Sequence, residues 1–370
     1  MIEIKKILKK DIDNFFNDKT FWDHSFLAIT KHRLLAHSYN PNSNEDDIVL
    51  LLAYLDNELV GYMGLFIDKI ILNKNEHKIG WLSTWWVHPK TQGSGIGREI
   101  LKTMYEANNG KIGISQFTAS ARRVYDKSGY FTSLKENIGI KAVLKSNLNN
   151  LIPVKYPKLK IMKFIFKFFD FLLNKPIELK LKVQKFIILS NLKNIEIEYL
   201  NIIDFETNSI IDQFNKSHIA KKTPAFFEWL KAFQWVQEAP LLKLTQKNKY
   251  EFSSFDENFN IYLIKIIENN ICIGFTVLQK RNKTMKVLFA YYDKNQDIKS
   301  ITNVIKLHAI SLKMNEIICY DIAICEILKK SNIFIYKRKK IKQSIISKIY
   351  EKTNFDDVEM NFGDGDCSFA

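Results

Sequence analysis

The stretch 81–98, WLSTWWVHPKTQGSGIGR, constrains the fold of this chain more than any other. An apolar, strand-like run enters a Val-His-Pro turn, three glycines follow at alternate positions, Gly93, Gly95 and Gly97, and then a helix starts whose apolar face is Ile100, Leu101 and Met104. Strand, glycine loop and helix in that order make a cradle for an anion. Glycine lets the backbone approach a ligand closely, and the unpaired N–H groups of a first helical turn point at negative charge. Two common phosphate loops are excluded. A Walker A loop ends in Gly-Lys-Ser/Thr, whereas Gly97 is followed by Arg98 and Glu99. A dinucleotide fingerprint spaces its last two glycines by three, with an acidic residue about 20 positions on; here the spacing is two and that residue is Phe117.

Alternation and turn residues predict the elements around the loop. Strands are expected at 2–8, 48–54, 59–66 and 79–87, the middle two joined as a hairpin by Asp56, Asn57 and Glu58. A helix is expected over 11–16, another after the glycine loop, a short strand at 111–115, a helix at 119–127 and a strand from Tyr130 and Phe131. Asn108, Asn109 and Gly110 close the helix after the loop with residues that tolerate a left-handed cap. Between the first elements, Phe21, Trp22, Phe26 and Leu27 read as the buried face of a helix, which leaves His24, His32 and His37 as acceptor contacts.

Gln92-x-x-Gly95-x-Gly97 after a Val-x-Pro turn resembles the acetyl-CoA loop of the GNAT acetyltransferases, and the element order over residues 1–145 is the order of that family. The resemblance implies an α/β (α+β) GNAT acyl-CoA N-acyltransferase fold, a mixed and mostly antiparallel sheet flanked by helices. It implies that acetyl-CoA is held by Gln92, Gly93, Ser94, Gly95, Ile96, Gly97 and Arg98, with Arg98 or Lys90 for the outer phosphates. In the family the strand entering the loop splays from its neighbour and offers an N–H to the thioester carbonyl; by position that is Trp86 or Val87, with Trp85 alongside. The run Ala121-Arg122-Arg123-Val124-Tyr125-Asp126-Lys127-Ser128-Gly129-Tyr130 resembles the family's A-x-x-L-Y-E-x-x-G-F segment, whose tyrosine approaches the CoA sulfur, so Tyr125 is the expected general acid. Where the family often carries asparagine, three residues before that alanine, this chain has Thr118. The strand 81–87 holds no carboxylate, which leaves His88, Asp23, His37, Asp68 or a water relay as the base.

The second half repeats the first in weaker form. Asn270-Ile271-Cys272-Ile273-Gly274-Phe275 echoes Glu58-Leu59-Val60-Gly61-Tyr62, and a strand at 286–292, a helix at 298–313, a strand at 316–320 and a helix at 322–329 follow. Where the loop should stand is Asp293-Lys294-Asn295-Gln296-Asp297, without glycine and with two carboxylates that repel a pyrophosphate. The expected division is a GNAT acetyltransferase domain at 1–148, a basic amphipathic connecting segment at 149–189, and a degenerate GNAT-like domain without a CoA loop at 190–370.

A net charge of +15 over 370 residues raises nucleic acid as a partner, but its placement argues against one binding face. About +4 falls in 1–150, +7 in 151–186 and +4 in 187–370, and only six of the basic residues are arginine, the side chain that suits bidentate contacts. No nucleic-acid partner is expected. The central run KLKIMKFIFKFFDFLLNK is too short and too charged to span a bilayer. It reads as a connecting helix with its lysines in water, and the alternative is peripheral contact of 156–175 with an anionic membrane. Four irregularly spaced cysteines form no disulfide framework or C-x-x-C pair, and the first residues lack the apolar core of a signal peptide, so a cytoplasmic protein with reduced thiols is expected. No metal is expected.

The function these readings imply is N-acetyl transfer from acetyl-CoA to a primary amine of a small molecule. The paired halves and the segment Asp364-Gly365-Asp366-Cys367-Ser368-Phe369 resemble acetyltransferases of bacterial surface-polysaccharide synthesis, which implies a nucleotide-linked amino sugar as acceptor. Two alternatives stand beside it: an aminoacyl-tRNA-dependent transferase, which also pairs two such domains but has no use for a CoA loop, and a non-catalytic CoA-binding scaffold.

Overall fold

Asp56 and Asn57, both with positive φ (50° and 67°), make the two-residue turn from which the sheet of the first half is built. In the computed structural model, residues 1–22, 24, 26–72, 75–238, 250, 252, 255, 256 and 258–369 are described. The elements run β1 (Ile2–Leu8), α1 (Ile12–Asn17), α2 (Lys19–Trp22), α3 (Lys31–Ser38), β2 (Ile48–Leu55), β3 (Glu58–Leu72) and β4 (Asn75–Val87). Next come α4 (Ile96–Ala107), β5 (Ile112–Ile114), α5 (Ala119–Ser128), β6 (Phe131–Val143), α6 (Leu148–Lys155), α7 (Lys163–Asn191) and β7 (Ile195–Leu200). Then follow α8 (Phe205–Phe214), α9 (Pro224–Ala232), the short β8 (Gln237–Glu238) and β9 (Phe255–Asp256), β10 (Phe259–Glu268), β11 (Ile271–Arg281) and β12 (Thr284–Tyr292). The last are α10 (Ile298–Ser311), β13 (Glu316–Cys319), α11 (Ile322–Lys330) and β14 (Tyr336–Ser347).

By contacts the chain forms two compact units. One comprises residues 1–137, 201–259 and 342–370, the other 138–200 and 260–341. These units cross the sequential bounds 1–148, 149–189 and 190–370, and strand pairing is the cause. In the first unit the order is β1-β2-β3-β4-β5-β14, all antiparallel except β4–β5. Its sixth strand comes from the end of the chain, with Ile345 opposite Ile114 and Ile346 opposite Gly113. In the second unit the order is β7-β10-β11-β12-β13 followed by the end of β6, again with a parallel junction, β12–β13. Its sixth strand comes from the first half, with Ile317 opposite Ala142 and Cys319 opposite Ile140. Each half of the sequence thus completes the sheet of the other unit.

In the first unit one face of the sheet is packed by α4, where Ile96, Ile100, Leu101 and Met104 meet Val60, Met63 and Leu65. The other face holds Phe21, Phe26, Leu34, Tyr62 and, partly buried, Trp22 and Trp86. The aromatics expected inside are therefore inside, although Phe26 and Leu27 lie beyond the end of α2. In the second unit α7 packs Leu181, Ile188 and Ile177 against Ile305, Val304 and Leu278, so what reads as a connector is a wall of that core.

The first unit also buries a charge pair. Lys222 Nζ lies 2.6 Å from Asp68, 3.7 Å from Asp364 and 4.3 Å over the Phe226 ring, with Lys222 and Asp68 each 1% exposed. Removing one partner strands the other in a medium that cannot solvate it. Lys222→Ala is expected to cost about 3–5 kcal/mol, read as a lower urea midpoint at unchanged slope. A midpoint equal to that of the parent would contradict this account of the pair.

Candidate active site

Strands β4 and β5 pair only at Gly80–Ile112 and Trp81–Gly113, yet β4 continues to Val87. Beyond Trp81 the two strands diverge and leave a V-shaped opening. The divergence has a local cause on the β3 side: Thr84, at φ 49°, is the extra residue of a bulge, opposite the step from Met63 to Gly64. After the bulge the strand alternates regularly. His88 N–H donates to the Val60 carbonyl at 2.7 Å, so the period of two turns Trp86 N–H towards β3 and leaves Trp85 N–H and Val87 N–H facing the opening. Of the two amides expected to meet a thioester oxygen, Val87 is the one on the open side. The side chains divide likewise, with Trp85 against Tyr125 (ring centroids 5.5 Å apart) and Trp86 against Phe26 (4.4 Å) and Tyr62 (5.5 Å).

The glycine loop ends β4 as the sequence requires. Pro89, Lys90 and Thr91 make a single 3₁₀ turn, and Ser94 Oγ donates to the Thr91 carbonyl at 2.6 Å. Gly93 (φ 88°) and Gly95 (φ 85°) are both left-handed, and a Cβ on either would meet nothing within 4 Å, so conformation and open space demand them together. Gly95 is the N-cap of α4 and offers no side-chain cap, which leaves the first-turn amides of Ile96, Gly97 and Arg98 without an intrahelical partner. A Cβ on Gly97 would lie 3.2 Å from Trp85 Cζ2, so that glycine sets how closely α4 lies on β4. Beyond the loop the lining of a cleft of about 470 Å³ includes Arg98, Glu99, Lys102, Val124, Lys127 and Tyr130. Three cations against one carboxylate, next to helix amides without an intrahelical partner, suit a ligand with several phosphates. Gln92 serves as C-cap of the 3₁₀ turn, and Lys90 is paired with Glu58.

Tyr125 lies on α5, whose N-terminus is capped by Thr118 accepting from Ala121 N–H at 3.3 Å. The side chain that departs from the family pattern therefore has a structural task. Tyr125 is 5% exposed, and burial first, then the charge of Asp366, push its phenol above the ordinary tyrosine range. It holds its proton at neutral pH, as a general acid must before the leaving thiolate forms.

The segment 364–369 packs at the closed end of the opening between β4 and β5, by Trp81, Ser83 and Ser115. Gly365 packs on Ser115 and Trp81, and Phe369 stacks on Trp235 at 4.1 Å. Asp364, Gly365, Cys367 and Ser368 are buried, whereas Asp366 keeps part of its surface open. Asp366 accepts hydrogen bonds from Ser115, at the end of β5, and Ser83, on β4. Burial raises its carboxyl above the ordinary range, while those hydrogen bonds and the charges of Arg33 and Lys342 act the other way. Arg33 is fixed in turn, donating to Ser83 Oγ (3.0 Å) and Tyr250 Oη (2.9 Å), with its guanidinium 3.8 Å over the Trp235 ring.

The bases weighed from the sequence fare differently. Asp68 is tied to Lys222, and His88 accepts the Lys90 N–H at 3.1 Å in the exposed turn. His37 is buried 5.0 Å from the Trp235 ring, and burial followed by the Arg33 charge lowers its pKa well below the ordinary value. His32 donates to the Trp235 carbonyl, and burial lowers its pKa to about 4. Both histidines are neutral at pH 7 and serve the packing around Trp235. His24 stands in the bend after α2, and Asp23 lies outside the described residues.

The second unit has no such cradle. Asp293 accepts the N–H groups of Asn295 (2.8 Å) and Gln296 (3.4 Å), so a carboxylate of the chain takes the place of a ligand anion. Tyr292, at the end of β12, donates to Asp321 at 2.8 Å, and Asp321 caps α11.

Residues 4–130 match the family model described as the acetyltransferase (GNAT) family. No protein of curated function matches the chain. Among solved structures, a GCN5-related N-acetyltransferase from Anabaena variabilis ATCC 29413 aligns at 8% identity and TM-score 0.50, over 93% of this chain and 72% of that one. A probable N-acyltransferase from Enterococcus faecalis V583 aligns at 9% and 0.49, over 94% and 72%. A tandem GNAT protein from the clavulanic acid biosynthesis pathway aligns at 9% and 0.49, over 94% and 98%. Identities this low speak for the fold alone. The fold is the GNAT fold, a mixed sheet flanked by helices.

Proposed function

We propose that this chain, whose residues 4–130 form a GNAT-family acetyltransferase domain, transfers the acetyl group of acetyl-CoA to a primary amine of a small molecule within a ternary complex. One observation carries the reading: the opening between β4 and β5 gathers an outward amide at Val87, the phenol of Tyr125 and the carboxylate of Asp366, with the α4 cradle at its end. The amides of Ile96, Gly97 and Arg98 hold the pyrophosphate, and Arg98, Lys102 and Lys127 the outer phosphates. Val87 N–H stabilises the oxyanion that forms when the amine nitrogen adds to the thioester carbon. Asp366 takes the proton that the nitrogen sheds, and Tyr125 gives its proton to sulfur as the C–S bond breaks. The products are an amide and free CoA thiol.

Four expected CoA ligands take lesser parts in this scheme. Trp85 spaces α4, Trp86 belongs to the aromatic wall on the other face, and Gln92 and Ser94 shape the loop. For the acceptor, a nucleotide-linked amino sugar is the first class to assay. Thiol release from acetyl-CoA should require both substrates, with intersecting initial-rate lines for the productive amine. If acetyl-CoA binds and no amine across a panel of amino sugars, polyamines and amino acids releases thiol, the enzymatic reading fails and a CoA-binding scaffold replaces it.

A further inference from the structure

Residues 151–189 hold sixteen of the twenty-nine large apolar side chains exposed among the described residues, although they are about a tenth of the chain. The cause is visible on α7. Asp170, Asn174, Ile177, Leu181 and Ile188 recur at steps of four, three, four and seven and form the stripe turned into the second unit. A surface helix with one packed stripe is polar on its far side. Here the far side reads Phe168, Leu172, Lys175, Leu179, Val183 and Phe186, at steps of four, three, four, four and three. Its apolar members are 44–75% exposed. Apolar surface of this extent has no task in the fold of the unit and marks a surface that meets something else.

The charges on the segment say what that is. It carries nine lysines and two acids. Neither acid is free to offset the lysines at the surface. Asp170 is 7% exposed and accepts from Ser146 Oγ (2.6 Å), Leu148 N–H (2.8 Å) and Asn149 N–H (2.9 Å), capping α6 from the side. Glu178 is paired with Lys145 at 2.6 Å. An outward face of phenylalanine and leucine flanked by unopposed lysines is the composition of a helix that lies in the headgroup layer, its apolar side chains among the acyl chains and its lysines on lipid phosphates. No helix among the described residues is long and apolar enough to cross a membrane, so the contact is in-plane. A second copy of this chain is a poor occupant, because a two-fold contact would set seven net positive charges against seven.

We infer that α6 and α7 form a docking surface for an anionic lipid bilayer. The test is vesicle co-sedimentation of the full chain with phosphatidylcholine alone and with a third phosphatidylglycerol. Binding should require the anionic lipid and weaken as salt rises. Two variants alter exposed residues only. Lys175→Glu with Lys180→Glu and Lys182→Glu should lower binding by at least about a hundredfold, at about fivefold per lysine lost. Phe168→Ser with Leu172→Ser and Phe186→Ser should abolish it, with thermal midpoints of both variants equal to the parent. No binding to anionic vesicles, or equal binding by parent and variants, overturns the inference. So does a concentration-dependent dimer that the apolar variant dissolves, which would assign the face to a second copy. Because the readout is lipid binding, failure here leaves the acetyltransfer reading standing, and the reverse holds.

Discussion

Replacing Gly95 by glutamate should weaken acetyl-CoA binding by at least a hundredfold while leaving the fold nearly as stable as before. The two effects separate because of where Gly95 sits. It is the N-cap of α4 with φ 85°, a conformation that costs a residue with a Cβ about 1–2 kcal/mol. A Cβ there meets nothing within 4 Å, so the new side chain fits without displacing a neighbour. A carboxylate at a helix N-terminus returns about 0.3–1 kcal/mol through the helix dipole, which offsets part of that strain. The same carboxylate stands where the pyrophosphate would lie. Two like charges about 4 Å apart repel by roughly 4 kcal/mol near a protein surface, which exceeds the free-energy equivalent of a hundredfold. Gly95→Ala carries the strain without the charge and should cost no more than about tenfold. Titration calorimetry with acetyl-CoA and with CoA reads all three proteins. If the glutamate variant binds as the parent does, the donor site is not at this loop.

The loop and helix of the candidate donor side were legible because their signals are local. Positive φ at Gly93 and Gly95, an uncapped helix start and an apolar face on α4 all lie within a dozen residues, and each leaves its mark on the residue type. The missing cradle of the second half is legible for the same reason, since Asp293 reaches amides only two and three residues on. The helix that carries Tyr125 was legible because the run around it is contiguous. What escaped is set by contacts far apart in the chain. Ser115 and Asp366 are separated by 251 positions, and nothing in the spacing of Asp364, Gly365 and Asp366 says that they enter the opening between β4 and β5. The exchange of sixth strands is invisible likewise, because nothing in 342–347, KQSIIS, names the strand it pairs with. The choice between Trp86 and Val87 turned on one residue of register, which the bulge at Thr84 fixes and the sequence does not mark.

Asp366→Asn should lower kcat by about 10²–10⁴ with little change in the affinity for acetyl-CoA, because general-base assistance is lost while the cradle is untouched. Asparagine has nearly the shape of aspartate and keeps one carbonyl to accept from Ser115 and Ser83, so the segment 364–369 should stay seated. The pH dependence carries the sharper signature. Burial is the largest influence on Asp366 and raises its folded pKa above the ordinary 3.8, so the acid limb of kcat/KM should fall above that value. The residual rate of the asparagine variant should lack that limb. Stability runs the opposite way. A carboxyl whose folded pKa is raised contributes stability below its unfolded pKa and loses it as pH rises through the folded value. Above its folded pKa the parent bears a poorly solvated charge that asparagine removes. The variant should therefore melt higher than the parent on the alkaline side of that value, and the gap should close towards pH 3. A residue kept at some cost to the fold and needed for the rate is what a working base in a half-closed site looks like. An unchanged kcat with a raised melting point would leave Asp366 a mere wedge between β4 and β5 and return the proton to water.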